Sequence, residues 1–135
     1  MSTSEGSGPC AHGYYSVAAV TLYHFVQLDT SECSSAKTAV ETAGAGGQIF
    51  GISADTSAAG GHVAVFDADG RKCYLTVDGN AGAISVGSYL KADSSGHGVA
   101  TTTTDDEIGA VALEASTAAG DIISVMFRPG TLAHS

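Results

Sequence analysis

Apolar positions along this chain come in short runs broken by glycine, aspartate and serine, and few of them recur at helical spacing. The first run after Gly13 is Tyr14-Tyr15-Ser16-Val17-Ala18-Ala19-Val20, followed by Leu22-Tyr23-His24-Phe25-Val26-Gln27-Leu28. Aromatic and β-branched residues dominate there, which predicts one or two strands. A helix over 16–28 is the competing reading, because a continuous apolar run has no clean period. Asp67-Ala68-Asp69-Gly70, between Val63-Ala64-Val65-Phe66 and Lys72-Cys73-Tyr74-Leu75-Thr76-Val77, has the composition of a hairpin turn. Tyr89-Leu90-Lys91-Ala92 is followed by the turn Asp93-Ser94-Ser95-Gly96, and the threonine-rich residues 99–104 read as an edge strand or an ordered loop. Short helices are expected only over 37–43 and 114–118, and 37–42 reads equally as a strand. The pattern predicts an all-β fold, a compact β-sandwich or barrel-like domain.

One phrase occurs twice. Ile49-Phe50-Gly51-Ile52-Ser53-Ala54, Ser57-Ala58-Ala59-Gly60 and His62-Val63-Ala64-Val65-Phe66 form the first copy. Ile108-Gly109-Ala110-Val111-Ala112-Leu113, Thr117-Ala118-Ala119-Gly120 and Asp121-Ile122-Ile123-Ser124-Val125-Met126-Phe127 form the second. Aligned on Gly60 and Gly120, Val65 meets Val125, and Gly51 meets Gly109 if the second copy carries two extra residues. Two copies are too few for an open repeat array, so the expectation is one domain with an internal pseudo-repeat. Its core is expected to include Ile49, Ile52, Val63, Val65, Leu75, Ile84, Leu90, Val111, Ile123 and Val125, which alternate along the proposed strands.

Composition narrows the function classes. Five Lys or Arg against 14 Asp or Glu leave a net charge of −9. That sign opposes binding to phosphate backbones and to anionic membranes, so no nucleic acid or membrane partner is expected. Glycine supplies 18 of the 135 residues, well above the usual ~7% share, which suits many tight turns. Residues 1–12, rich in Ser and Gly, are expected to form a flexible arm and residues 13–135 a single β-rich domain. The arm lacks the basic and apolar stretches of a secretion signal, so synthesis and folding in the cytoplasm are expected. Cys10, Cys33 and Cys73 form no close pair and are expected as free thiols, with Cys73 inside the core.

Candidate chemistry is sparse. Asp67-Ala68-Asp69-Gly70 opens like a calcium loop, but Arg71 and Lys72 follow where further ligands and a glycine would be needed. His12, His24, His62, His97 and His134 show no zinc-binding spacing. His24, among Tyr23, Phe25 and Val26, reads as packed or at an interface, and histidines brought together by an oligomer axis are the one metal arrangement left open. No nucleophile elbow or phosphate loop is present. No enzyme activity, catalytic residue, cofactor or metal is expected. Residues for interaction are expected where the arm meets the domain, at Pro9, His12, Tyr14 and Tyr15.

Ile84-Ser85-Val86-Gly87-Ser88-Tyr89-Leu90-Lys91-Ala92-Asp93, with the closing segments 108–115 and 120–125, resembles the small capsid decoration, or cement, proteins of tailed bacteriophages. The likeness covers roughly residues 47–128 and rests on glycine and aliphatic spacing, not on reactive residues. It implies a homotrimer on the outer surface of a phage head that stabilises the capsid by bridging major capsid protein subunits. The alternative is a non-enzymatic ligand-binding β module, such as a glycan-binding or head-fibre domain.

Overall fold

The computed structural model describes residues 11–35 and 37–132, and every regular element among them is a strand. β1 (Ala11–Ser16), β2 (Phe25–Leu28), β3 (Ala39–Thr42), β4 (Gly51–Ser53) and β5 (His62–Phe66) close a barrel in the order β1-β3-β2-β4-β5. β6 (Lys72–Asp78), β7 (Tyr89–Ala92), β8 (Gly98–Thr101), β9 (Glu107–Ala112) and β10 (Ala119–Thr131) close another, in the order β10-β6-β8-β7-β9. The two topologies are the same. β1 runs parallel to β3 as β6 does to β8, and all other pairings are antiparallel.

The repeat therefore spans the described chain, well beyond the two strands visible in the sequence. Isolated bridges confirm the correspondence: Val20 pairs with Ser57 in barrel 1, and Ile84 with Ser116 in barrel 2. Val26 lies opposite Gly51 and Leu90 opposite Ala110, so Gly51 corresponds to Ala110, not to Gly109. The second copy carries one extra residue, between Ser116 and Gly120, and not two.

Several expectations are corrected by this duplication. The turn at 67–70 is real, with Gly70 at φ 84, but β5 and β6 do not pair. They belong to different barrels, and the turn is the connection between them. Residues 98–101 are no edge strand, because β8 pairs with both β6 and β7 and a closed barrel has no edge. Residues 39–42 form β3, so of the two readings of 37–43 the strand holds and the helix does not, and 114–118 stay irregular around the Ser116 bridge. The strand reading of the first apolar run holds against the helix, with β1 ending at Ser16 and β2 starting at Phe25, but residues 17–24 between them are irregular, with Tyr23 at φ 62. Ala11 and His12, assigned to the arm, pair with Phe66 and Val65 in β1.

Alternation along the strands fills both interiors. β5 turns His62, Ala64 and Phe66 outward and buries Val63 and Val65. These join Val20, Val26 and Val40 as the core of barrel 1, with Tyr14 and Phe50 packed against it. Barrel 2 buries Leu75, Val77, Leu90, Ile123, Val125 and Phe127, and its cluster continues into barrel 1 through Phe25, Ala43, Ile49 and Ile52. Of the expected core, Val111 alone is half-buried.

Candidate interaction surfaces

The joint between the barrels is built by residues that point out of barrel 1. Phe25 and Ile52, opposite each other on β2 and β4, are both 0% exposed because barrel 2 covers them. Gly109 makes this approach possible: a Cβ there would lie 2.6 Å from Phe25 Cε1 and 2.8 Å from Ile49 Cγ2. Backbone bonds reinforce the contact. The Thr76 amide donates to the Tyr23 carbonyl at 2.7 Å, the Phe25 amide to Gly96 O at 2.8 Å and the Gly46 amide to Ala92 O at 3.2 Å. Tyr23 also packs on Tyr74, with ring centroids 5.7 Å apart.

His24 completes the joint, as its apolar neighbours suggested. Its ring lies 4.7 Å from that of His97, and its Nδ1 is 3.0 Å from Leu22 O. Burial lowers its pKa from the usual histidine value and nearby His97 adds to the effect, while the Leu22 carbonyl and Asp93 oppose it.

The expected interaction residues separate. Pro9 and Cys10 lie outside the described residues. His12 and Tyr14 converge on one carboxylate: His12 Nδ1 is 2.9 Å from Asp67 Oδ1, and the Tyr14 hydroxyl donates to Asp67 Oδ2. Burial, with the Asp67 carboxylate, raises the Tyr14 pKa well above the ordinary phenol value. Tyr14 meets Phe50 edge-on, at 5.1 Å between centroids. Tyr15, the next residue on the strand, faces the other way, where Lys37 Nζ sits 4.1 Å above its ring and His62 meets its edge.

Two grooves escaped the sequence reading. One, of about 680 Å³, lies on barrel 2 and is lined by Tyr89, Ile108, Val111, Arg128, Pro129 and Leu132 among others. The other, of about 360 Å³, lies on barrel 1 between Gln27, Leu28, Thr30, Gln48, Ile49 and Phe50. The signal that could have found them was present: Phe25-Val26-Gln27-Leu28-Asp29 and Tyr89-Leu90-Lys91-Ala92-Asp93 share one pattern of aromatic, aliphatic, polar, aliphatic and acidic residues. Near the larger groove, the Asp106 carboxylate accepts from the Thr101 hydroxyl and from Lys91 Nζ at 3.1 Å, and both depress its pKa. Glu114 Oε1 accepts from the Ser124 amide at 2.6 Å and hydroxyl at 2.9 Å, which lowers its pKa likewise. The Cys73 thiol is pushed up to about 12 by burial, which keeps it protonated and unreactive.

The same fold occurs in a phage protein. The crystal structure of the N base of the head fiber protein gp8.5 of bacteriophage phi29 matches with a TM-score of 0.70, over 93% of this chain and 98% of that one. Sequence identity is 13%, so the likeness is one of fold. No family model and no curated protein sequence matches.

Proposed function

We propose that this protein is a structural, non-catalytic component of a tailed-phage virion, bound as a homotrimer to the outer capsid surface and stabilising it by bridging major capsid protein subunits. The observation that carries this reading is the shared fold over nearly the whole of both chains with the base of a phage head fiber. The sequence resemblance to capsid decoration proteins points the same way from separate features, the glycine and aliphatic spacing of residues 47–128. A pair of barrels with exposed grooves of mixed apolar and polar lining suits contact between proteins. Exposed His12, on the Asp67 side of β1, and Tyr15, on its opposite face, are assigned to the shell contact together with Pro9.

The test is co-sedimentation of the purified protein with heads of its own phage from which it has been stripped. Saturable binding at a fixed ratio to the major capsid protein is expected; absence of binding would overturn the reading. The phi29 neighbour also favours a second reading, in which the barrels anchor a head fibre without strengthening the shell. Under that reading the protein binds heads equally well but leaves their heat resistance unchanged.

A further inference from the structure

Phe25 and Tyr89 hold the same place in the repeat, and their surroundings differ. Phe25 opposes Ile52 as Tyr89 opposes Val111, and Ile49 corresponds to Ile108. In barrel 1 that outward face is covered by a barrel of this fold, leaving Phe25 and Ile52 0% and Ile49 5% exposed. In barrel 2 the corresponding face is the larger groove, with Tyr89 43% exposed and Val111 half-buried.

The receiving side of the joint is duplicated as well. Gly109 and Ala92 of barrel 2 are buried where it meets barrel 1; their equivalents in barrel 1 are Phe50, half-buried, and Leu28, 38% exposed. Both line the smaller groove. One molecule thus carries an uncovered outward face and an uncovered receiving face of the same kind of joint.

We propose that the Tyr89–Val111 face of barrel 2 docks onto the Leu28–Phe50 groove of barrel 1 in a second copy of the chain, head to tail. The joint between chains then repeats the joint within one. Side-chain size fits: small Gly109 lets Phe25 approach closely, whereas bulky Phe50 in its place requires the roomier groove of about 680 Å³ around Tyr89. Charge fits too, because Arg128 lines the Tyr89 groove while Asp29 follows Leu28 and Glu41 holds Gln27 at 2.7 Å on the other. Such a contact is heterologous and builds a ring when the rotation closes. The inference deepens the trimer reading and rests on it only for closure at three.

The test uses the full chain in solution, without heads. Sedimentation equilibrium should show a discrete oligomer that Tyr89→Asp and, independently, Leu28→Asp each weaken at least about tenfold, as loss of a central anchor does. Thermal transitions unchanged from wild type at low concentration show that both variants fold. In a C10S/C33S background, oxidation should link Y89C chains to L28C chains when the two are mixed, and link neither to itself. A chain monomeric up to millimolar concentration, an oligomer indifferent to both aspartates, or Y89C chains that link to each other would each overturn the proposal. A monomer that still binds heads through Tyr89 would leave the capsid reading standing and assign this face to the shell instead.

Discussion

His24 shows how a single side chain makes the joint sensitive to pH. Burial holds its folded pKa below the usual value of 6.5, so the unfolded chain binds the proton first as pH falls. Its contribution is complete above the unfolded pKa and declines as pH drops through 6.5 toward the folded value. Denaturant titrations between about pH 7.5 and 5.5 should show falling stability, and His24→Asn should flatten that slope. His97 and Asp93 face the same ring and stay in place in that variant. Below about pH 4.5 a second decline is expected, because Asp106 and Glu114 have depressed pKa values and lose their contribution on protonation. Gly109 fixes the joint sterically. Gly109→Val forces a side chain against Phe25 and Ile49 and should cost about 1–3 kcal/mol in urea unfolding. Gly82→Ala, with nothing within 4 Å, should change little.

At the scale of elements, the turn before β2 and its counterpart before β7 solve one geometric problem with different residues. Tyr23 at φ 62 and Gly87 at φ 91 hold the same position, each donating its amide to β4 or β9, at Ser53 O and Ala112 O. A left-handed backbone costs a non-glycine residue about 1–2 kcal/mol. Tyr23 offsets that through its ring contact with Tyr74, and the Ser53 hydroxyl steadies the turn by donating to Thr21 O at 2.6 Å. Gly87→Ala has no such compensation and should lose about 1–2 kcal/mol by chemical denaturation. The strands themselves were legible wherever local alternation reports burial, as in Val63 and Val65 or Leu75 and Val77. Their pairing was not. The turn at 67–70 has every local mark of a hairpin, and only the duplication, a property of the whole chain, sends β5 and β6 to different barrels. Val111 alternates like a core residue yet faces a groove, because periodicity gives the face of a strand and not what covers it. Tyr89 and Leu28 went unnoticed for the same reason.

For the whole molecule, the continuous cluster from Phe25 to Phe127 couples the two barrels. Calorimetry should show one cooperative transition, and Phe25→Ala should lower it by about 3–5 kcal/mol as a single step, without splitting it. The charge of −9 per chain opposes close assembly, so the proposed contacts between copies and with a shell are expected to be mainly apolar. Added salt should therefore strengthen self-association modestly by screening that repulsion. The proposed stabilisation of a phage head would act through linkage: a protein that binds the intact shell more tightly than the ruptured one raises the threshold of rupture. The most direct measurement is the temperature at which DNA escapes from heads stripped of the protein and from the same heads after it is added back. Release at a higher temperature is expected from the decorated heads, whereas the same release temperature for both would contradict a stabilising role.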